Sequence, residues 1–336
     1  MSADSDVDLL IVGGGPAGAA AATAAAREGL FVRLLERSLR HVGKVGEALH
    51  PGAEALLSGL GAAQALHAAT RLRFEGVRVT WGDAPAFQPF GRDARGPWRG
   101  FQLDRDAFDE ALLAAAAGSG AQVIRGEAAA DLLRDGDRVA GVRAAGAEMP
   151  ARLTLDATGP ARWLGRKARR PSGRRSPPLR VRYGYVRRPV GDPTPSLAAD
   201  AGGWTWVAPI APDRVQWATL RLDGGPPEPP ALPDAQPLGR PRGADVTWRV
   251  ADAAAGPGWF LAGDAAAVLD PTSSHGVLKA LTSGLYAGRT AAAMLRKGAP
   301  EAEAAARYAA WLRGAVECDV AALAAQYARL GAAGFG

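Results

Sequence analysis

The N-terminal glycine cluster constrains the fold of this chain more than any other feature. Residues 13–18 (GGGPAG) follow a short apolar run, Asp8 to Val12, and precede an Ala-rich stretch that ends at Arg27. A buried strand, a glycine turn and a helix in this order are typical of a Rossmann-like phosphate-binding unit. In that unit the three glycines permit the tight turn, the approach of backbone amides to a pyrophosphate, and the close packing of helix on strand.

An acidic residue follows this unit at the expected distance. A second predicted strand, Phe31 to Leu35, ends at Glu36, about 20 residues after the cluster, where a carboxylate binds the ribose of a dinucleotide. A carboxylate at this position favours an adenosine ribose that carries no phosphate group. A purely structural glycine turn is the simpler alternative, but the strand, helix and acid together favour nucleotide binding. The residues predicted to bind on this side are Gly13, Gly15, Pro16, Ala17, Gly18, Glu36 and Arg37.

A second segment, far downstream, indicates which dinucleotide is bound. Trp259 to Ala262 is predicted to be a strand, and Gly263-Asp264 follows in a turn. A carboxylate there can accept hydrogen bonds from ribityl hydroxyls. The N-terminus of the helix predicted for residues 277–296 would face the flavin, where the helix dipole stabilises the reduced ring. An isolated Gly-Asp pair is an ordinary turn, but its combination with the N-terminal cluster predicts FAD.

Composition limits the alternatives. With 336 residues, 48% of them hydrophobic, the chain can bury a large core in roughly two domains. The net charge of +6 comes from residues 162–188, which include eleven Lys or Arg and no acid. This segment is either a solvated connection, the simpler interpretation, or a docking patch for an acidic protein partner. No nucleic-acid partner is expected, because the segment has few aromatic residues and no recognised reading module.

Other features argue against disulfides, metals and membrane spans. Cys318 is the single cysteine, and the four histidines show no metal-ligand spacing. Residues 1–8 are acidic and lead directly into the first strand, which leaves no room for a signal peptide. No uncharged apolar run reaches the roughly 18 residues of a membrane span. We therefore expect a cytoplasmic protein with no metal and no membrane partner.

The motifs resemble those of the flavoprotein monooxygenase and halogenase superfamily over nearly the whole chain. The shared marks are GxGxxG at residues 13–18, DxxG at Asp156 to Gly159, and Gly263-Asp264 followed by Pro271. The resemblance implies an α/β fold with a GR2-type, Rossmann-like FAD-binding domain, discontinuous in sequence, and an antiparallel β-sheet substrate domain.

Three further segments narrow the resemblance. Residues 45–48 (VGEA) with Pro51 resemble the GE loop near the flavin of tryptophan halogenases, and residues 270–276 (DPTSSHG) resemble the halogenase-like flavin turn. Residues 102–105 (QLDR) with Phe108 resemble the segment whose arginine contacts the cofactor. The cofactor-binding residues implied by these matches are Arg105, Gly263, Asp264, Pro271, Ser274, Gly276 and Val277.

The candidate catalytic residues each have a plainer alternative. Glu47 could position substrate or tune access to the flavin, or be a solvated loop residue. His275 could donate a proton near pH 7 or only form a hydrogen bond. His50 could share the substrate cavity, although a solvated histidine is the simpler interpretation. Trp204 and Trp206 point to one face of a predicted strand and could cover flavin or substrate, or pack in the core.

The resemblance is strongest to the short LodB-like group, which is implicated in oxidising a tryptophan of a partner protein during quinone-cofactor maturation. It implies a monooxygenase that hydroxylates an indole- or phenol-like group by a flavin C4a-hydroperoxide in an apolar, covered site. The substrate is then an aromatic small molecule or a protein-borne tryptophan. An FAD-dependent reductase or dehydrogenase resembling geranylgeranyl reductases is the alternative. A flavin-binding partner protein without catalytic activity is less favoured.

Halogenation is disfavoured by two departures from the halogenase pattern. Halogenases have an essential lysine after the GE loop, whereas no lysine lies between Lys44 and Lys167 here. The WxWxIP signature is represented by residues 204–209 (WTWVAP), in which Ala208 replaces the isoleucine. No second GxGxxG is embedded after a strand, so electrons are expected from transiently bound NAD(P)H or from a separate flavin reductase.

The organisation predicted from these motifs interrupts the FAD domain twice. Residues 1–75, 101–178 and 245–336 form the FAD domain and the C-terminal helices, which are expected at 301–317 and 319–330. Residues 76–100 form a substrate-domain hairpin, and residues 179–244 form its sheet. Alternating apolar residues predict strands at 77–81, 181–186, 204–207 and 215–222, and the Pro-rich residues 226–241 predict an extended loop over the site.

Overall fold

The computed structural model describes residues 7–82 and 84–336 and forms a mixed α/β structure. The strands, in chain order, are β1 (Val7–Val12), β2 (Val32–Glu36), β3 (Ala48–Leu49), β4 (Thr70–Phe74), β5 (Gly76–Trp81), β6 (Ala86–Pro89), β7 (Arg92–Asp93), β8 (Gly96–Pro97), β9 (Gly100–Leu103), β10 (Gln122–Arg125), β11 (Ala129–Asp135), β12 (Arg138–Ala144), β13 (Ala147–Asp156), β14 (Ser172–Arg174), β15 (Arg180–Arg187), β16 (Ser196–Asp200), β17 (Gly203–Ala211), β18 (Arg214–Arg221), β19 (Gln236–Pro237), β20 (Arg242–Asp245), β21 (Arg249–Ala251), β22 (Ala255–Gly256), β23 (Trp259–Leu261) and β24 (Ala267–Val268).

Seven α-helices occur among the described residues. They are α1 (Pro16–Arg27), α2 (Ala53–Gly59), α3 (Ala63–Ala69), α4 (Arg105–Gly118), α5 (Trp163–Lys167), α6 (Gly276–Lys297) and α7 (Glu301–Arg329). Short 3-10 turns lie at Gly159–Ala161, Gly263–Ala265 and Pro271–Ser273. None of the described helices is long and apolar enough to cross a membrane.

The first large sheet collects the predicted binding motifs at one edge. Its parallel strands β10, β2, β1, β13 and β23 pair in that order. Val12 is in register with both Leu35 and Asp156, and Asp156 is in register with Leu261. The strands β1, β2 and β23 are nearly continuous apolar runs because both faces of this part of the sheet are buried. The glycine cluster, Glu36 and Gly263 therefore emerge together at the carboxyl ends of the strands.

Helices α1 and α6 cross closely over this sheet. A β-carbon on Gly284 would lie 2.0 Å from the carbonyl oxygen of Ala17, and one on Gly288 would lie 2.5 Å from that of Ala21. Both distances are shorter than any ordinary contact, so the crossing requires glycine on α6 opposite the alanines of α1. This packing fixes α6 relative to the glycine cluster.

The second large sheet is mainly antiparallel and has the order β19-β15-β18-β17-β16-β5-β6, with β20 also paired to β15. Its one parallel pair joins β16 to β5. The four strands predicted from alternation are present as β5, β15, β17 and β18. The predicted fold class, a Rossmann-like FAD domain with a mainly antiparallel sheet domain, is confirmed. The five segment boundaries stay a prediction.

Two local expectations differ from the structure. The two C-terminal helices form one continuous helix, α7, because no Gly or Pro separates Glu317 from Asp319 and the polar residues there lie on a helix surface. The loop predicted for 226–241 contains β19, whose Gln236 and Pro237 pair with Arg187 and Val186. The end of this loop is therefore attached to the second sheet.

Candidate functional site

A cavity of about 1270 Å³ lies between the two sheets, α6 and α7. This volume exceeds the roughly 300–1000 Å³ typical of a pocket for one drug-sized ligand, so the cavity has room for a dinucleotide and a second molecule. All the predicted site residues except Gly18 and His50 line it, namely Gly13, Gly15, Pro16, Ala17, Glu36, Arg37, Glu47, Arg105, Trp204, Trp206, Gly263, Asp264, Pro271, Ser274, His275, Gly276 and Val277.

The glycine cluster forms an open cradle at the start of α1. Gly13 has a φ of +105°, and a β-carbon on Gly18 would lie 1.9 Å from the Gly13 carbonyl oxygen. These two glycines are therefore required by the turn and by its packing on α1. A β-carbon on Gly15, in contrast, would meet no atom within 4 Å. The space beside Gly15, at a helix N-terminus without a side-chain cap or an acid in its first turn, fits a pyrophosphate.

Glu36 is buried at the end of β2 and is bound to the cradle. Its Oε2 accepts a hydrogen bond from the backbone N–H of Gly14 at 2.7 Å, and its Oε1 accepts one from Ser38 at 2.8 Å. Burial alone would raise the pKa of Glu36, but nearby His41 and these hydrogen bonds outweigh it and lower the pKa to about 2. Glu36 is thus a carboxylate at neutral pH, as ribose binding requires.

Asp264 is a carboxylate without a protein partner, since none of the described residues donates a hydrogen bond to it. Burial raises its pKa to about 6, against the opposing effect of Lys279 and Arg105. The preceding Gly263 is held by its N–H, which donates to Ser283 Oγ at 2.9 Å. An unpaired, half-buried acceptor at this position fits the ribityl hydroxyls of a flavin.

The turn between β24 and α6 is fixed by the buried Asp270. Its Oδ1 accepts hydrogen bonds from the N–H and hydroxyl of Thr272, and its Oδ2 accepts one from the Tyr327 hydroxyl at 2.6 Å. Ser274 adopts a left-handed conformation with a φ of +53°, and His275 precedes the first turn of α6. The N-terminus of α6 therefore opens into the cavity beside Asp264.

Arg105 holds the GE loop. Its Nη1 donates to the carbonyl oxygens of Val45 and Gly46, at 2.5 and 2.9 Å, and its Nη2 lies 3.0 Å from Asp109 Oδ1. The predicted cofactor contact of Arg105 stays a prediction, because most of its donors already have protein partners. Its position at the cavity wall gives the loop a fixed backbone next to the cofactor site.

Glu47 is buried, not solvated, and lines the cavity. Its Oε1 accepts a hydrogen bond from the Tyr185 hydroxyl at 2.6 Å, and its Oε2 accepts one from Gly46 N–H at 2.9 Å. Burial raises the pKa of Glu47 despite these bonds. Tyr185, on β15, was not predicted as a site residue, and nothing in its local sequence indicates the contact.

The two histidines lie together at the start of α6. The rings of His50 and His275 have centroids 5.4 Å apart, and His50 also packs edge-on against Phe90. Burial lowers the pKa of both imidazoles, so both are neutral at pH 7. His275 lines the cavity, whereas His50 is not among its lining residues.

The aromatic wall of the cavity comes from β17. Trp204 and Trp206 share one face of this strand and both line the cavity. Trp204 is also part of the core, and its Nε1 donates to the Tyr327 hydroxyl at 2.9 Å. The two alternatives left open by the sequence, cavity wall and core packing, therefore both apply to Trp204, whereas Trp206 is half-buried.

Two further features of the wall were not predicted. Gln102 is fully buried and lines the cavity, yet neither its amide nitrogen nor its amide oxygen has a hydrogen-bond partner among the described residues. Lys279, on α6, pairs with Asp319 on α7 at 2.8 Å, and both line the cavity. Gln102 is the first residue of the QLDR segment, which was the available signal. No signal in the sequence joins Lys279 to Asp319.

The Arg-rich segment at 162–188 is only partly available to a partner. Lys167, Arg175 and Arg187 pair with acidic residues of the same chain, at Asp131, Glu317 and Asp213. In the described part of the chain no group of three or more His, Cys, Asp or Glu residues is arranged to hold a metal ion.

Comparison with known proteins relates this site to flavoenzymes. Residues 8–167 match the sequence model of the FAD dependent oxidoreductase family. Tryptophan 2-halogenase of Chondromyces crocatus is 35% identical over 144 residues, 41% of this chain and 26% of that protein. Menaquinone reductase of Mycolicibacterium smegmatis is 29% identical over 342 aligned positions, 87% of this chain and 76% of that protein.

Solved structures show the same fold. The myxobacterial chondrochloren halogenase CndH, a variant of the FAD-dependent halogenases, has a TM-score of 0.86 at 24% identity, over 96% of this chain and 82% of that one. The open cradle, the unpaired Asp264 and the buried amide of Gln102 fit FAD in the cavity.

Proposed function

Since the chain belongs to the superfamily of halogenase-like FAD-dependent flavoproteins, we propose that this oxidoreductase is a monooxygenase that hydroxylates an indole- or phenol-like group. The observation that carries the proposal is the aromatic and apolar wall of the cavity, formed by Trp206, Tyr183 and Leu197. Such a wall accepts an aromatic ring and excludes water. Bound FAD would supply the redox chemistry, because its reduced ring reacts with oxygen.

Different residues of the protein then bind the cofactor and accept the proton. The cradle at Gly15 and the carboxylates of Glu36 and Asp264 bind and orient the cofactor. Glu47, whose pKa is raised by burial, can take the proton that an aromatic ring loses after an electrophilic oxygen adds to it. Tyr185 donates to Glu47 and keeps this carboxyl group in place. Electrons come from NAD(P)H or from a separate flavin reductase.

The proposal extends to a tryptophan carried by a partner protein. It is supported by the resemblance of the GE loop and the flavin turn to the LodB-like group. It is also supported by cations of the 162–188 segment that form no ion pair with a described residue, such as Arg169 and Arg174. Against halogenation, the lysines that line the cavity are Lys44 and Lys279, and the ammonium of Lys279, on α6, is paired with Asp319.

The test is oxygen transfer by the FAD-loaded protein. The protein is reduced without oxygen and mixed with ¹⁸O₂ in the presence of indole, phenol or a tryptophan peptide. We expect one ¹⁸O atom in the product and oxygen consumption coupled to its formation. If oxygen is reduced only to hydrogen peroxide with every aromatic compound tried, the monooxygenase proposal is wrong.

A reductase is the second candidate, because the menaquinone reductase relative aligns with 87% of this chain. A reductase would add a hydride from the reduced cofactor and a proton from solvent to a carbon–carbon double bond, and would not need oxygen. The same reduced protein, mixed with a polyprenyl quinone under nitrogen, would then return to the oxidised flavin spectrum and give a saturated product. Product formation needs oxygen in a monooxygenase and does not need it in a reductase. Assays with and without oxygen therefore separate the two functions.

A further inference from the structure

The segment that follows β2, residues 37–46, presents apolar side chains to solvent. Its last two residues are the first two of the GE loop. Of the six large hydrophobic residues that the described chain leaves exposed, three lie here: Leu39 is 75% exposed, Val42 77% and Val45 40%. Three exposed aliphatic side chains within seven residues of one loop are a denser group than the singly scattered apolar residues of an ordinary surface. We call this segment the β2–β3 loop.

The exposure of these side chains is not caused by a backbone that lacks hydrogen bonds. The N–H groups of Gly43 and Lys44 donate to the carboxylate of Asp106 at 2.7 and 2.9 Å, and the N–H of His41 donates to Glu110 at 2.9 Å. The end of the loop is held by Arg105, which donates to Val45 and Gly46. A loop attached at three places along its length still directs its aliphatic side chains outward.

Cations without partners surround these aliphatic groups. Arg37, Arg40 and Lys44 belong to the same loop, which has no acidic residue, and none of them forms an ion pair with a described residue. Arg242 adjoins the loop, because a β-carbon on Gly43 would lie 2.7 Å from its guanidinium. The acids nearby are engaged: Asp106 accepts the loop amides, and Glu110 pairs with Arg125 at 2.8 Å. The surface is therefore positively charged as well as apolar.

The loop also borders the cavity, since Arg37, Lys44 and Val45 line it. We propose that the β2–β3 loop binds the surface of an anionic lipid bilayer, with Leu39 and Val42 entering the headgroup region and Arg40 and Lys44 contacting lipid phosphates. In this orientation an apolar substrate could pass from the bilayer to the cavity with little exposure to water. The proposal goes beyond the reaction type and holds for either candidate function.

A bilayer fits this surface better than a protein partner. Side chains that project singly from a loop can enter a fluid headgroup layer without preformed pockets, and flanking Lys and Arg add attraction to anionic lipids. Protein interfaces instead concentrate their binding energy in Trp, Tyr and Arg, and Leu and Val are under-represented there. The expectation of no membrane partner rested on the lack of a spanning segment, which surface binding does not require.

The test measures sedimentation of the FAD-loaded protein with vesicles of phosphatidylglycerol and phosphatidylcholine, compared with phosphatidylcholine alone. We expect binding to the anionic vesicles only. Leu39→Ser with Val42→Ser should lower the partition coefficient by about tenfold or more, and Arg40→Glu should do so by a similar factor. Retained flavin absorbance shows that each variant is folded.

The matched control variants carry the same kinds of substitution outside the β2–β3 loop. Phe87→Ser removes an exposed apolar side chain from β6, and Arg307→Glu reverses a charge on the exposed face of α7; both should bind vesicles as the parent protein does. No binding to anionic vesicles, or equal loss in the control variants, would overturn the proposal. An acidic protein would then be the remaining occupant to test for this loop.

Discussion

Gly15 and Gly18 belong to one motif but have different neighbours, so their substitution separates cofactor binding from folding. Gly15→Ala places a methyl group in open space at an ordinary φ of −72°. The stability of the apoprotein should be unchanged, and FAD affinity should fall about tenfold or more, because the methyl group occupies the pyrophosphate position. Thermal unfolding of the apoprotein and FAD titration measure the two effects.

Gly18→Ala provides the contrast. Its methyl group would lie 1.9 Å from the carbonyl oxygen of Gly13, so the apoprotein itself should lose about 2 kcal/mol or more of stability. If Gly15→Ala binds FAD as tightly as the parent protein, the cradle does not contact the pyrophosphate.

Asp264 illustrates a functional group that destabilises the free protein. Its pKa is raised to about 6 in the folded state by burial, from an unfolded value near 4, so the folded state binds more protons between these values. Stability should therefore fall as pH rises from about 4 to about 6, by up to about 3 kcal/mol. Asp264→Asn should remove this pH dependence and stabilise the apoprotein at pH 7, while weakening FAD binding.

Urea unfolding of the apoprotein at pH 5 and pH 8 measures this effect. Asp137→Asn, in an exposed turn between β11 and β12, is the control and should change neither stability nor FAD affinity. A less stable Asp264→Asn apoprotein at pH 7 would show that the carboxylate has a stabilising protein partner.

Sequence reasoning identified residues whose role depends on a local motif and missed those that depend on distant partners. Glu47 was a candidate because it stands in the GE loop, but its hydrogen bond from the Tyr185 hydroxyl joins residues 138 positions apart. Tyr327 contacts Asp270 from 57 positions away, and no spacing rule indicates that pair. Side-chain contacts between sheets and helices are set by tertiary packing, which local patterns do not record.

At the scale of elements, the parallel strands and α1 were predictable because a strand, glycine turn and helix permit few alternatives. The strands β5, β15, β17 and β18 were predictable from alternation, since one face of each packs in the core. The break expected near Cys318 in α7 was wrong because polar residues on an exposed helix face resemble a boundary in the sequence. The β2–β3 loop contains no regular element to predict.

The hydroxyl group of Tyr327, on α7, contacts the turn between β24 and α6. The Tyr327 hydroxyl accepts from Trp204 Nε1 at 2.9 Å and donates to Asp270 Oδ2 at 2.6 Å. Tyr327→Phe leaves a buried indole N–H and a buried carboxylate oxygen without this partner, and should cost about 2–3 kcal/mol of stability. Because Asp270 positions the turn before α6, FAD affinity should fall as well.

Tyr286→Phe on α6 is the matched control, because no hydrogen bond joins the Tyr286 hydroxyl to a described residue. It should alter stability by less than about 1 kcal/mol. Chemical denaturation gives the first effect of Tyr327→Phe and FAD titration the second. Unchanged FAD affinity in Tyr327→Phe would show that the turn does not depend on the Tyr327 hydroxyl.

At the scale of the whole molecule, the cavity wall comes from both large sheets and from α6 and α7. A ligand that fills this cavity contacts both units, so FAD should stabilise the entire chain and not one part of it. At a free FAD concentration of about 100 times its Kd, the stabilisation is about 2.7 kcal/mol. We expect one calorimetric transition in the apoprotein and one in the FAD-loaded protein, with the latter at a higher temperature. Two transitions, of which FAD shifts only one, would show that the second sheet folds independently and contributes to the substrate side of the cavity alone.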